Sequence, residues 1–129
     1  MDVTPLIGKE SQVIQSYANG MFKISNERYD HPVIVNVDNT ILWDINGIDS
    51  ISQLTLSDFK PMVDLKEEID VVLLGCGSNM MFLPPTLRAD LKKAGLSVDV
   101  MDTGAACRTY NVLMAEGRRV VCALLPVDC

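Results

Sequence analysis

A chain of 129 residues lies within the usual single-domain range of about 100 to 200 residues, and 48% hydrophobic residues are enough to fill one core, which excludes wholesale disorder. With 17 acidic against 11 basic residues the net charge is -6, a field that repels phosphate backbones, so no nucleic-acid partner is expected. Met1-Asp2-Val3-Thr4-Pro5 has neither the basic start nor the apolar run of a secretory signal, and the runs near Val71 to Leu74 and Val120 to Pro126 are too short to cross a bilayer. A cytoplasmic protein without direct membrane insertion is the expectation.

In chain order, residues 1 to 14 show no sustained period and read as a loose N-terminal arm, with a single α/β domain over residues 15 to 129. Phe22 to Ile24, Val33 to Val37 and Thr40 to Ile45 are short, β-branched runs divided by Asn26-Glu27 and Asp38-Asn39, the pattern of a β-meander with Asp38-Asn39 as its hairpin turn. Asp49 to Glu68 carries a weak helical pattern interrupted by Pro61, so a short helix and a connector are expected. Ile69 to Leu74 is a continuous aliphatic run that ends at Gly75-Cys76-Gly77, as expected of a strand buried on both faces. Leu87, Leu91 and Ala94 follow at helical spacing, with Pro84-Pro85 at the start and Gly95 past the end. Ser97 to Met101 is the next strand, Asp102-Thr103 the cap of a helix from Gly104 to Glu116, and Val120 to Leu125 a central strand. Strand, helix, strand, helix, strand in succession argues for a layered α/β sheet.

No cluster specifies a reaction, and no catalytic residue, metal or cofactor is assigned. Cys76, Cys107, Cys122 and Cys129 form no C-x-x-C pair, and His31 is the only histidine. Cys107 falls in the first turn of a helix, where a thiol can be activated, but it lies on the apolar stripe and reads as packing; His31 reads as solvent-exposed. Gly75-Cys76-Gly77-Ser78-Asn79-Met80 begins like a dinucleotide loop, yet Met80 stands where the third glycine is needed. Such glycines more often serve a tight turn, although a loop at the carboxyl end of a buried strand is where α/β sheets hold ligands. Asp99 and Asp102 flank Met101, and residues so placed usually cap and solvate. Arg108, Arg118 and Arg119 gather positive charge on an acidic chain, either to grip a carboxylate or an interface partner, or to pair with local acids.

The stretch from Met101 to Pro126, with Asp102 to Arg119 as its most specific part, resembles the signature of a family. So do Ser16-Tyr17-Ala18-Asn19-Gly20, Ile41-Leu42-Trp43 and Leu73-Leu74-Gly75-Cys76-Gly77. The family is the domain of unknown function shared by small bacterial proteins and the mitochondrial respiratory complex I assembly factor 3. The resemblance implies a three-layer α/β domain around a mixed sheet of about five strands, the last antiparallel to its neighbours. The family it resembles has no established enzyme activity or cofactor, and its best-understood role is assisting assembly of a membrane complex through protein contacts; that role is not implied for a bacterial-type member, and a protein partner, such as a membrane-complex subunit or assembly machinery, is the expectation here. Self-association into a homo-oligomer stays open. Two readings follow. In the first, Arg108, Asn111 and Arg118 with the Gly75, Cys76, Gly77 and Ser78 loop meet a protein partner. In the second, a small molecule or anion occupies a cleft between that loop and the Asp102-Thr103 helix start, in a binding domain or an enzyme.

Overall fold

The computed structural model describes residues 11–45, 48 and 50–127. Three short strands come first: β1 (Ile14–Ala18), β2 (Met21–Ile24) and β3 (Glu27–Tyr29), joined as an antiparallel sheet in the order β1-β2-β3. Both connections are two-residue turns in the left-handed region: Asn19 and Gly20 have φ of 55° and 76°, and Ser25 and Asn26 have φ of 46° and 72°. Positive φ at both central residues matches the twist of a tight hairpin.

The main sheet has five strands in the order β5-β4-β8-β6-β7, where β4 is Val33–Val35, β5 Thr40–Leu42, β6 Val71–Gly75, β7 Val98–Met101 and β8 Val120–Leu124. The expected hairpin turn between β4 and β5 is present, and the Asn36 side chain braces it by accepting from the amides of Asp38 and Asn39, both at 2.8 Å. Strand β8 is antiparallel to β4 but parallel to β6, so the expectation that the last strand opposes both neighbours is corrected. The reason is the connection: a chain that leaves β7 through a helix returns in the direction of β6 and β7, as any crossover of that kind does.

Between β5 and β6, 3-10 turns at Ile51–Gln53, Leu56–Phe59 and Lys66–Glu68 surround the four-residue helix α1 (Lys60–Val63). Pro61 stands in the first turn of α1, where its missing N–H leaves no bond unmade, so it starts that helix instead of breaking it. The two long helices are α2 (Pro85–Lys93) and α3 (Thr103–Ala115). Gly95, with φ 89°, ends α2, and the Asp102 carboxylate caps α3 by accepting from Ala105 N at 2.9 Å.

These elements form three layers with a core on each face of the main sheet. Ile34, Val72, Leu74, Val121, Ala123 and Leu125 point to the side of α2, Trp43 and Phe59. Their alternates Val33, Val35, Leu73, Val120, Cys122 and Leu124 point to α3 and the small sheet, against Tyr110, Phe22 and Ile24. This is why Val120–Leu124 is buried throughout: each residue serves one core or the other. Residues 12 to 14, read from the sequence as part of the arm, are tied to the domain. Gln12 N donates to Val37 O, Tyr110 Oη donates to Gln12 O, and Ile14 is buried, which anchors residues 12 to 14; residues 1–10 lie outside the described residues.

Candidate functional site

The Gly75–Ser78 loop and the start of α3 meet at the carboxyl ends of β6 and β7. Strand β6 leads to α2 on one face and β7 leads to α3 on the other, and the divergence of two such connections opens a crevice in α/β sheets. Here the crevice is filled. Thr103 is fully buried; its Oγ1 donates to Leu125 O at 2.7 Å and accepts from Gly77 N at 2.9 Å, while Thr103 N donates to Gly77 O at 2.9 Å. Gly75 lies so close beneath that a Cβ there would sit 2.8 Å from Leu124 Cδ2 and 2.9 Å from Thr103 Oγ1. Loop and helix start are thus brought together, but by bonding to each other.

Cys76 is buried and orders the rest of the loop: its Sγ donates to Asn79 O at 3.2 Å and accepts from Met81 N at 3.3 Å. On the outer side of the loop lies a cavity of about 390 Å³ whose lining includes Pro32, Gly77, Ser78, Met81, Leu125 and Pro126. Beyond it Met80, Met81 and Phe82 form an exposed apolar run, with Phe82 75% exposed. That run lies outside any helix or strand, and its three consecutive apolar residues were the sequence signal for it.

The arginines divide. Arg119 does not join Arg108 and Arg118: it binds Asp70 at 2.8 Å and donates to Glu67 O at 3.2 Å, and it holds the Asp70 carboxyl below its ordinary range. Arg108 and Arg118, both exposed, are ten positions apart, Arg108 in the second turn of α3 and Arg118 past its end, where its N–H turns back to Leu113 O at 3.0 Å. Arg108 Nη1 donates to Tyr17 Oη at 2.6 Å. Tyr17, which the periodicity did not single out, passes over Gly104, where a Cβ would stand 2.9 Å from its Oη. Val112, one turn on from Arg108, is 57% exposed. Asn111 faces the small sheet: its Oδ1 accepts from Ile14 N at 3.0 Å and its Nδ2 donates to Ile14 O at 2.8 Å, which pins β1 to α3.

Burial pushes the Cys107 thiol up to about 12, despite the Arg108 charge, and raises Cys122 as well, so both remain neutral packing groups. His31 is only partly exposed; Nδ1 lies 2.8 Å from Pro32 O and the ring sits edge-on to Tyr29. Cys129 lies outside the described residues. Among the described residues no helix is long and apolar enough to cross a membrane.

A three-layer domain of this kind, with its loop tied into the helix start, defines a class of α/β proteins recognisable by sequence. The chain belongs to the family described as protein of unknown function (DUF498/DUF598), which matches residues 14–125. It is 32% identical over 114 residues to an uncharacterized protein of Rhodobacter capsulatus, covering 88% of this chain and 84% of that one. It is 34% identical over 114 residues to the NADH dehydrogenase (ubiquinone) 1 alpha subcomplex assembly factor 3 of Danio rerio, covering 88% of this chain and 64% of that protein, so that relative extends well beyond the shared domain. The crystal structure of an outer membrane protein from Bartonella henselae superposes with a TM-score of 0.79 at 32% identity, over 91% of this chain and 96% of that one.

Proposed function

We propose that this protein is a non-catalytic binding module, assembly-factor-like, that meets a protein partner through the outer face of α3. The observation that carries the reading is the 2.6 Å bond from Arg108 to Tyr17, which holds an exposed guanidinium beside exposed Val112. An arginine already fixed in place loses little freedom on binding, and Arg and Tyr are the side chains that most often anchor interfaces. Kinship with an assembly factor of a respiratory complex supports the same reading and makes a membrane-complex subunit or its assembly machinery the first partner to seek. Arg118 extends the face at the far end of α3, Asn111 fixes β1 beneath it, and the loop from Gly75 through Cys76 and Gly77 to Ser78, with Asp102 and Thr103, holds the helix start in place.

The test is affinity purification of the tagged protein from its own cells, membrane fraction included, beside Arg108→Glu and Arg118→Glu. A near-stoichiometric protein lost from a variant that still unfolds cooperatively supports the face. Retention by both variants overturns it, and the fraction that holds the tagged protein tests the expected cytoplasmic location.

A second reading, a small-molecule or anion site, rests on the cavity of about 390 Å³ at the carboxyl ends of β6 and β8. It shifts the ligand from the Asp102-Thr103 side of the loop to the side of Pro32 and Pro126. Native mass spectrometry of the purified protein tests it: a bound metabolite absent from a Ser78→Trp variant that still unfolds cooperatively supports the site.

A further inference from the structure

Strand β7 is an edge of the main sheet. Its bonds to β6 use alternate residues: Ser97 O accepts from Val72 N at 2.8 Å, and Met101 O accepts from Cys76 N at 2.9 Å. Since backbone groups alternate in direction along a strand, the N–H and C=O groups of Val98 and Val100 face outward, and among the described residues no strand pairs with them. An open row of this kind is a template for another extended segment.

Beside this edge runs a groove of about 550 Å³, with Leu83, Leu91, Leu96 and Val98 among its apolar lining and Arg88 and Lys92 among its polar lining. The two cations are four apart on α2 and so share one face. A third is close by: Lys66 Nζ lies 3.9 Å from where a Cβ would stand on Gly95, another lining residue. The ion pairs among the described residues, Lys60–Asp64 and Arg119–Asp70, use none of Arg88, Lys92 and Lys66. This is a positive corner on a chain of net charge -6. A second copy is a poor occupant, because β7 paired with itself turns Val98 and Val100, and no acid, to the side of Arg88 and Lys92, while Asp99 points to the opposite face of the sheet.

We propose that the β7 edge and its groove take an extended acidic segment of a partner protein, which adds as a sixth strand and turns its carboxylates toward Arg88 and Lys92. The main-chain bonds to Val98 and Val100 supply the affinity and the two cations select for acid. The surface is separate from the α3 face and uses neither Arg108 nor Arg118, so either assignment can fail alone.

The probe is a fluorescein-labelled peptide of about eight residues alternating Glu and Thr, with a Lys and Thr peptide as control. Binding is read by anisotropy and by amide hydrogen exchange in NMR spectra. The Glu peptide is expected to slow exchange at Val98 and Val100 on the order of tenfold or more, while the Asp99 and Met101 amides, turned to β6, keep their rates. Arg88→Gln with Lys92→Gln is expected to weaken binding on the order of tenfold at low salt. Val100→Pro removes an outward N–H without touching a bond to β6 and is expected to abolish binding; if that variant fails to fold, the exchange pattern and the double Gln variant still decide. Absence of binding at millimolar peptide, equal binding of the Lys peptide, or protection of Val98 and Val100 that rises with protein concentration without peptide each overturns the proposal, the last by showing a second copy at the edge.

Discussion

Thr103→Val isolates the tie between loop and helix start, because valine keeps the shape of threonine and removes only the hydroxyl. Two bonds go: the 2.7 Å donation to Leu125 O and the 2.9 Å acceptance from Gly77 N. Leu125 is buried, so its carbonyl is left dry and unpaired, at about 1–3 kcal/mol. Gly77 is half-buried and water recovers part of its bond, leaving about 0.5–1.5 kcal/mol. The sum, about 1.5–4.5 kcal/mol, lowers Tm by roughly 10 °C in a domain of this size. Thr103→Ser keeps both bonds and loses one buried methyl, about 1 kcal/mol. Urea unfolding followed by the fluorescence of Trp43, the single and buried tryptophan, measures both variants, and an unchanged slope shows that the native state is lost as one unit. A valine variant within about 0.5 kcal/mol of the parent, or a serine variant less stable than the valine one, refutes the assignment of the hydroxyl.

Gly75→Ala is expected to destabilise by about 2–4 kcal/mol, since its Cβ would press on Leu124 and on the backbone of Thr103 at 3.0 Å; thermal unfolding reads it. Asn111→Leu removes both bonds to Ile14, and faster amide exchange at Ile14 with about 1–3 kcal/mol lost is the expected result. Tyr110→Phe loses the bonds to Gln12 O and Asn36 O, with about 1–2 kcal/mol expected in urea unfolding. Cys107 in the folded chain ionises near 12 against 9.0 when exposed, so its contribution is fully present below pH 9 and falls by about 1.4 kcal/mol per pH unit above that, until it is gone near 12. Urea midpoints from pH 8 to 11 check the sign, and a Cys107→Ala background must lower the slope while leaving the part due to Cys122 and Tyr110, which burial also raises.

The second half of the chain was legible because its signals agree: β6, α2, β7 and α3 each join an apolar run or stripe to a cap or a glycine at its end, and β8 is a continuous apolar run. The first half was less so. Strands β1 and β3 alternate too briefly for a period to show, and β3 has no buried residue at all. The signal for β1 was the Asn19-Gly20 pair, a strong mark of a tight hairpin, whereas Ser25-Asn26 reaches the same left-handed turn without glycine. Around the candidate site, residue types were legible and partners were not. Asn111 on the polar side of α3 suggests a surface, but it meets Ile14, 97 positions away; Arg119 meets Asp70, 49 positions away. Only the fold makes those pairs, and each removes a residue from the pool free to meet a partner.

What remains on α3 after that subtraction has a particular electrostatic character. Arg119 is held by a carboxylate, which fixes its position and also cancels its charge. Arg108 is held by the Tyr17 hydroxyl, which fixes position and leaves the charge in place. A guanidinium oriented by a neutral group still attracts an acidic partner and still has donors free to form a bidentate pair. Association through this face should therefore slow as salt rises over the range where the screening length falls from about 30 to 10 Å. Tyr17→Phe should leave that salt dependence intact, because the charge stays, while speeding dissociation, because the arginine must then be ordered on binding. Surface plasmon resonance against the captured partner separates the two rates. A Tyr17→Phe variant that alters the salt dependence of association and leaves dissociation unchanged would show that Tyr17 does not act by positioning Arg108.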